Sequence, residues 1–197
     1  MRARREVERA RERADRLQAL TAALAPTTTP EEVADVVVAQ GVAATQAATG
    51  LLALRVAAPT ATEPGEGAIL RHHGVSGAVV DGYMHFPLTA HGPIAECLRA
   101  GAATFIETGA ELRASFPEAA SIFDGMGVQA VATVPLTATG EVVGAMSFSW
   151  NAAHPLPAAE RELFLAFGQQ AAQALERARL FAAEHAARVD AEAANRA

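Results

Sequence analysis

The sequence contains a single cysteine, Cys97, and no lysine, so that all sixteen basic residues are arginines. One cysteine excludes an internal disulfide and a zinc site built on several thiolates, and it suits a reducing compartment. No apolar run has the length of a membrane span, and no apolar signal segment follows the N-terminal arginines. These absences predict a cytoplasmic protein without a membrane partner.

An excess of positive charge is also missing. The formal net charge is −6 and the pI is about 5.5, whereas a nucleic-acid interface needs a basic face. Seven arginines do lie within the first sixteen residues, but four acidic residues alternate with them. This pattern is typical of a solvated helix surface, and we expect no nucleic-acid partner.

Catalytic motifs are absent as well. The sequence has no glycine-rich phosphate loop, no His-Glu zinc helix and no nucleophile elbow. His72 and His73 are neighbours in a predicted strand and point to opposite faces, and His85 and His91 have no recognised metal-ligand spacing. Cys97 lies among apolar residues of a short helix and is interpreted as a buried thiol, the alternative being a nucleophile or a chromophore attachment point. We therefore expect no enzyme activity, no catalytic residue and no metal site.

Two helices are predicted at the N-terminus. Residues 2–24 carry a heptad seam, and a helix of this kind needs a partner helix; its members are Val7, Ala10, Ala14, Leu17, Thr21 and Leu24. Thr29-Pro30-Glu31-Glu32 then predicts a capping box that begins a second helix. Its expected buried stripe is Val33, Val36, Val37, Gly41 and Ala44, and Gly50 is expected to end it.

From Leu51 onward, the spacing of the apolar residues changes from that of helices to that of strands. Leu51–Val56 and Ala68–His73 are predicted as a hairpin with a turn from Pro59 to Gly67. A loop-rich stretch follows, with a short helix at Ile94–Ala100, a short strand at Thr104–Ile106 and a helix within Glu111–Phe123. Residues 129–136 and 142–150 are two further strands, joined at Thr139-Gly140-Glu141 by a tight turn.

A last long helix begins at Ala158. Its seam repeats the heptad spacing and fades into charged residues near Arg188; it consists of Phe164, Phe167, Ala171, Ala174, Ala178 and Phe181. The two terminal seams extend beyond what a core of this size needs. They predict a homodimer formed through the terminal helices, although packing of both helices on their own sheet is the alternative.

The order of these elements resembles a GAF domain over residues 27–180. The most specific match is Ala132-Thr133-Val134-Pro135-Leu136 followed by 140-GEVVGAMSF-148, which is similar to the family's final hairpin. Glu160–Ala174 looks like the family's closing helix. Phe86-Pro87-Leu88 and Pro93-Ile94-Ala95 occupy the family's variable lid region. The segment from Arg113 to Pro117 is similar to GAF domains of bacterial phosphatases and histidine kinases.

The resemblance implies an α+β fold with a GAF-like central antiparallel sheet. Long helices would pack on one face, short helices and loops would cover the other and enclose a pocket, and coiled-coil-like helices would flank the domain. In the last strand we assign Val142, Gly144, Met146, Phe148 and Trp150 to the helix face. Val143, Ala145, Ser147 and Ser149 are assigned to the pocket face.

The expected pocket is mostly apolar, with one or two polar groups. The candidate ligand-binding residues are His73, Phe86, Phe105, Arg113, Phe116, Phe123, Met126, Ala145 and Ser147. No cofactor is assigned. Cyclic-nucleotide GAF domains carry an Asn-Lys…Phe…Asp-Glu constellation that this sequence lacks, and GAF proteins that reduce free methionine sulfoxide use several cysteines.

The sequence therefore predicts a sensory or regulatory module of a bacterial signalling protein with an unidentified small-molecule ligand. Residues 1–25 would be a signalling and dimerisation helix, 26–180 the GAF domain, and 181–197 a continuation toward an output domain such as a histidine kinase, as in two-component systems, or a PP2C-type phosphatase. The main alternative is a ligand-free dimerisation domain. A haem sensor with an axial histidine in the lid, a cyclic-GMP sensor and a methionine sulfoxide reductase are minor ones.

Overall fold

Six antiparallel strands form one sheet in the order β3-β2-β1-β6-β5-β4. The strands are β1 (Thr49–Val56), β2 (Glu66–His73), β3 (His85–Pro87), β4 (Thr104–Ile106), β5 (Ala130–Ala138) and β6 (Glu141–Trp150). The computed structural model describes residues 2–56, 65–75 and 82–194. Within these ranges, the side chains of residues 2–7, 9, 10, 190, 191, 193 and 194 are not described.

The described helices lie on both faces of this sheet. They are α1 (Arg2–Leu24), α2 (Pro30–Thr45), α3 (Pro93–Ala100), α4 (Gly109–Ser115), α5 (Ala120–Met126) and α6 (Ala158–Ala194), with a 3-10 turn at Pro117–Ala119. The long helices α1, α2 and α6 cover one face, which we call the helix face. The short helices α3, α4 and α5 cover the other, which we call the cover face. The predicted α+β architecture is confirmed.

Local signals of the sequence account for several boundaries. Thr29 caps α2, and both halves of the predicted capping box with Glu32 are present. Thr139 and Gly140 have φ values of 51° and 86°, which is the left-handed pair that a two-residue hairpin turn requires. Gly101 ends α3 with a φ of 66°. These predictions are confirmed.

Other boundaries differ from the predicted ones. Helix α2 ends at Thr45, with Gln46 in the left-handed conformation. Gly50 lies inside β1, where Val42 and the ring of Phe148 leave little room for a Cβ. The helix expected within Glu111–Phe123 is divided into α4 and α5 at Pro117, whose ring cannot continue a helix. Strand β3 was not predicted, and part of the predicted turn from Pro59 to Gly67 lies outside the described residues.

The main core lies between the sheet and the long helices. Met146, Phe148 and Trp150 of β6 point into it as predicted, and the ring centroids of Phe148 and Phe164 are 5.6 Å apart. The assignment of Val142 and Val143 was wrong. Val143 packs with the helix-face core and Val142 with a cover-face cluster.

A β-bulge explains this reversal. Leu136 pairs with Gly144 and Thr137 pairs with Val142, so that Val143 is an extra residue in β6. An extra residue shifts the two-residue alternation of side chains by one position. The alternation predicted from Trp150 backwards therefore holds only as far as the bulge.

Helix α1 runs parallel to the first part of α6. Arg13 Nη1 lies 3.3 Å from Glu162 Oε2, Thr21 Oγ1 donates to Gln170 Oε1 at 3.3 Å, and Arg177 Nη2 donates to the Leu24 carbonyl at 3.2 Å. Among the described side chains of α1, Leu20 and Leu24 are buried, with Leu17 packed beside them.

The predicted seam of α1 is thus only partly right. Ala14 and Thr21 are exposed, Leu20 was missed, and the side chains of Val7 and Ala10 lie outside the described residues. The apolar side of the second half of α1 packs against α6 and α2 of the same chain.

Helix α6 changes character at Ala178. Phe164, Phe167, Ala171, Ala174 and Ala178 are all buried, as the seam predicted. From Arg179 to Val189 every residue is exposed, and Phe181, the last member of the predicted seam, is 56% exposed. The buried seam of α6 therefore stops at Ala178 within the protomer.

Candidate functional site

The cover face has two separate apolar clusters. The first, which we call the α3 cluster, packs α3 on strands β1, β2, β3 and β6; its buried members are Ala53, Ile69, Phe86, Leu88, Ala95, Cys97, Leu98 and Ala145. The second, the α4–α5 cluster, packs on β4 and β5; its buried members are Ile106, Leu112, Phe116, Ala119, Val128 and Val131. Among the described residues, the buried side chains of the cover therefore form two clusters.

A cavity of about 190 Å³ lies where the two clusters meet. Its lining includes Ile69, Phe86 and Ala95 of the α3 cluster, and Ala119 of the α4–α5 cluster. The remaining lining residues are Leu51, His72, Val75, Tyr83, Ala90, His91, Gly92, Pro93, Ile94, Ile122, Phe123 and Met126. Residues 76–81, between Val75 and Gly82, are not among the described residues. The cavity volume is that of the space between the described residues.

The cavity wall is almost entirely apolar. The polar side chains among its described residues are His72, Tyr83 and His91, all of which are exposed to solvent. His91 Nε2 lies 3.8 Å from Glu118 Oε2. Among the described lining residues there is no arginine, aspartate or glutamate. This environment suits an apolar body and offers few partners to a charged group.

Three of the nine predicted ligand-binding residues line the cavity, namely Phe86, Phe123 and Met126. Three others lie on the cover face behind the lining. Phe116 is buried in the α4–α5 cluster, Ala145 is buried beneath α3, and the Ser147 hydroxyl is hydrogen-bonded to that of Thr133 at 2.7 Å.

The structure places the remaining three away from the lining. Phe105 packs against the helix-face core, with its centroid 6.4 Å from that of Phe164. Arg113 forms a surface ion pair with Asp124 at 3.1 Å. His73 does not line the cavity, and its neighbour His72 does.

A second bulge accounts for the exchange of His73 for His72. Leu52 pairs with Arg71 and Ala53 pairs with Ile69, so that Leu70 is an extra residue in β2. Beyond the bulge the alternation shifts by one position, and His72 takes the cover face. No local residue pattern signals this bulge. The break at Pro117 likewise decides which residues of α5 line the cavity, because it separates α5 from α4.

Cys97 is fully buried in α3. Burial raises the pKa of its thiol to about 12, because an apolar environment disfavours the thiolate. The prediction of a buried cysteine is confirmed. A thiol in this state is a poor nucleophile, since the thiolate is the reactive form.

A polar connection links the cover to the base of α6. Glu107, between β4 and α4, accepts a hydrogen bond from the Leu156 N–H at 2.9 Å and one from Arg161 at 3.0 Å. Arg161 Nε also donates to the Leu156 carbonyl at 2.6 Å, and its guanidinium lies 5.3 Å from the centroid of the Phe105 ring. The segment that begins α6 is thereby tied to the segment that begins α4.

An antiparallel sheet with long helices on one face and a cavity-bearing cover of short helices on the other defines a class of small α+β domains. The sequence profile of the GAF domain matches residues 27–176, and the chain belongs to the GAF domain family. No curated protein is significantly similar to it in sequence. Among the described residues, no helix has both the length and the apolar character needed to cross a bilayer.

Solved structures share the fold. The GAF domain of a phosphoenolpyruvate-protein phosphotransferase from Coxiella burnetii is 17% identical, with a TM-score of 0.69 over 88% of this chain and 98% of that chain. The free methionine-R-sulfoxide reductase of Neisseria meningitidis, solved with its substrate, is 13% identical, with a TM-score of 0.65 over 85% and 90%. A domain of a protein described as a two-component sensor histidine kinase from Sinorhizobium meliloti is 18% identical, with a TM-score of 0.57 over 79% and 96%.

Proposed function

We propose that this GAF domain is a small-molecule sensor of a signalling protein, and that the cavity between the α3 and α4–α5 clusters is its ligand site. The observation that carries the proposal is the cavity itself, which lies between the two clusters of described residues and has an apolar lining. An engineered cavity of about 150 Å³ lined by Leu, Ile and Phe binds benzene. The cavity described here is larger, at about 190 Å³.

The site is placed so that a ligand could influence the long helices. Ala119, Ile122, Phe123 and Met126 line the cavity from the 3-10 turn and α5, and Glu107 at the other end of this segment holds Leu156 and Arg161 at the start of α6. A ligand that moves the α4–α5 segment would act on α6 through these hydrogen bonds. Coupling of this kind requires that the ligand binds the two arrangements with different affinity.

The projecting part of α6 is the proposed output. The sixteen residues after Ala178 extend by about 24 Å at the rise of an α-helix. Leu180 and Phe181 are 54% and 56% exposed, and Val189 lies two helical turns beyond Phe181, at 49%. We propose that this strip packs on the same strip of a second copy, forming a homodimer. A kinase or phosphatase domain following α6, and a cytoplasmic location, complete the proposal.

Native mass spectrometry of freshly purified protein tests the ligand proposal, and an absorption spectrum of the same sample tests for haem. We expect a retained molecule or, in a thermal-shift screen of metabolites, a compound that raises the midpoint. A ligand at a hundredfold excess over its dissociation constant stabilises by about 2.7 kcal/mol. If no compound acts and filling the cavity only stabilises the protein, the domain is a ligand-free dimerisation scaffold.

The dimer has a separate test. Leu24 is buried in the protomer, so a charge there would unfold the chain and would not report on association. Phe181→Glu changes an exposed residue and should leave the fold intact while light scattering shows a monomer. Leu165→Glu, at a residue 42% exposed but earlier in α6, is the matched control and should remain dimeric. A dimeric Phe181→Glu protein would exclude the projecting strip as the interface.

A further inference from the structure

We infer that the cavity takes an uncharged, largely apolar molecule of about the size of one substituted aromatic ring. This inference rests on the proposed ligand site and goes beyond it in naming the class of ligand. Three properties of the cavity carry it: its volume, the chemistry of its wall and the position of its few polar groups.

The volume sets the size of the ligand. Benzene occupies a cavity of about 150 Å³, and typical sites for larger organic ligands measure about 300–1,000 Å³. A cavity of about 190 Å³ therefore holds one ring with a small substituent. A haem, a bilin or a nucleotide is several times too large for the space between the described residues.

The wall sets the charge. Ile69, Phe86, Ile122, Phe123 and Met126 supply apolar contacts, and no described lining residue carries a fixed positive charge that could pair with a carboxylate or a phosphate. The free energy needed to move an unpaired ion out of water is far larger than the free energy gained from apolar contacts of this size. Glu118 lies beside the lining residue His91, with its Oε2 3.8 Å from His91 Nε2, and its charge would repel an anion.

The polar groups set the orientation. His72, Tyr83 and His91 line the cavity and are exposed to solvent, and imidazole and phenol side chains form hydrogen bonds. A ligand with one hydroxyl, amide or ring N–H would place that group beside these exposed side chains while its ring is buried. The indole or phenol type of molecule fits all three properties.

Fluorine NMR with a matched pair of probes tests the inference on the full chain. Fluorobenzene and 4-fluorobenzoate have the same ring and differ by one negative charge. We expect the fluorobenzene signal to broaden or shift on addition of protein, and indole to reverse this effect. The benzoate should bind at least about tenfold more weakly, because its carboxylate loses water without gaining a partner.

Two variants place the binding in the cavity. Ala119→Leu and Ile122→Phe enlarge residues of the lining and should each reduce the effect on fluorobenzene at least about fivefold, in proportion to the space they remove. Ala114→Leu makes the same change at an exposed position of α4 and should bind as the wild type does. Circular dichroism verifies that each variant is folded, and two independent filling variants keep the test valid if one of them is not.

The outcomes separate the inference from the proposed function. Benzoate binding as tight as that of fluorobenzene, or a charged or much larger molecule found by native mass spectrometry, overturns the inference and leaves the sensor proposal standing. Fluorobenzene binding that both filling variants leave unchanged overturns the inference because the ring then binds elsewhere. If no molecule of any class binds, both the inference and the sensor proposal fail.

Discussion

Glu107 and Arg161 form an ion pair that encloses the backbone of Leu156, with Arg161 Nη2 3.0 Å from Glu107 Oε1. Glu107 binds the N–H of Leu156 and Arg161 binds its carbonyl. Leu156 itself is buried in the helix-face core. The pair therefore fixes the connection between β6 and α6 at the point where the cover and the long helices meet.

The first prediction concerns the charge of Glu107. The hydrogen bond from the Leu156 N–H, followed by the hydrogen bond and charge of Arg161, holds the pKa of Glu107 below its ordinary value. A carboxyl group whose pKa is lowered on folding stabilises the folded state at pH values above its ordinary pKa. This contribution is lost as the pH falls through the lowered pKa. We expect Glu107→Gln to reduce the free energy of unfolding at pH 7, measured with urea.

The pH dependence distinguishes this charge effect from a loss of packing. The difference between the wild type and Glu107→Gln should shrink as the pH falls below about 4.3, the ordinary glutamate pKa. Glu184→Gln, an exposed change in the projecting part of α6, is the control and should alter neither stability nor its pH dependence. A Glu107→Gln difference that stays constant down to the acid transition would contradict the prediction.

The second prediction concerns Gly41, whose position leaves no space for a Cβ because the ring of Phe148 lies against it. Helix propensity alone would make Gly41→Ala stabilising by about 1 kcal/mol. Overpacking of a core costs about 1–3 kcal/mol, and Phe148 is fully buried beside Phe164. We therefore expect Gly41→Ala to lower the unfolding free energy, so the sign of the change decides between the two effects.

Gly125 provides the matched control for this substitution. It lies in α5, and no atom from another described segment lies within 4 Å of the position that an added Cβ would take, so Gly125→Ala should be neutral or stabilising. The double variant Gly41→Ala/Phe148→Leu should lose less unfolding free energy than the sum of the two single variants, because leucine leaves room for the added methyl group. Additive losses in that double variant would show that the two residues do not interact.

The third prediction concerns Cys97. Cys97→Ala should cost about 1 kcal/mol, the value of a small buried group. Cys97→Ser should cost about 1–3 kcal/mol more if its hydroxyl remains without a partner. A thiol reagent should label the native protein slowly and the urea-unfolded protein at once. Fast stoichiometric labelling of the native protein would instead indicate an accessible, reactive thiol.

The fourth prediction concerns the start of α2. The Glu32 N–H donates to Thr29 Oγ1 at 3.2 Å, and Glu32 Oε2 accepts from the Thr29 N–H at 3.3 Å. Thr29→Ala removes the side-chain acceptor and should lower the unfolding free energy by about 1 kcal/mol. Thr29→Ser keeps the hydroxyl and should stay within a few tenths of the wild type. Equal losses in both variants would mean that the methyl group of Thr29, and not its hydroxyl, matters.

Local features of the chain could be predicted because their causes are local. The capping box at Thr29, the left-handed turn at Thr139 and Gly140, and the end of α3 at Gly101 each depend on a few adjacent residues. The family resemblance was likewise carried by a contiguous hairpin and helix. The α+β class, the helix-face assignment of Phe148 and the burial of Cys97 followed from these local patterns together.

The cavity lining could be predicted only in part. Phe86, Phe123 and Met126 were expected in it because they lie in the segment that covers the sheet. His72 was missed in favour of His73, since the bulge at Leu70 depends on how β1 and β2 pair. Phe105 was misplaced because β4 lies at the sheet edge, where its side chain reaches Phe164 and Arg161 of α6.

Residues close together in the chain were enough to establish most helix and strand positions, the basic alternation of each long strand and the family that the chain resembles. The phase of β2 and β6 beyond their bulges, the parallel packing of α1 on α6 and the cavity between the two cover clusters emerged only from the folded chain. Each of these depends on contacts between residues far apart in the sequence. Arg13 with Glu162, and Ala119 with Phe86, share a surface only because the sheet brings their elements together.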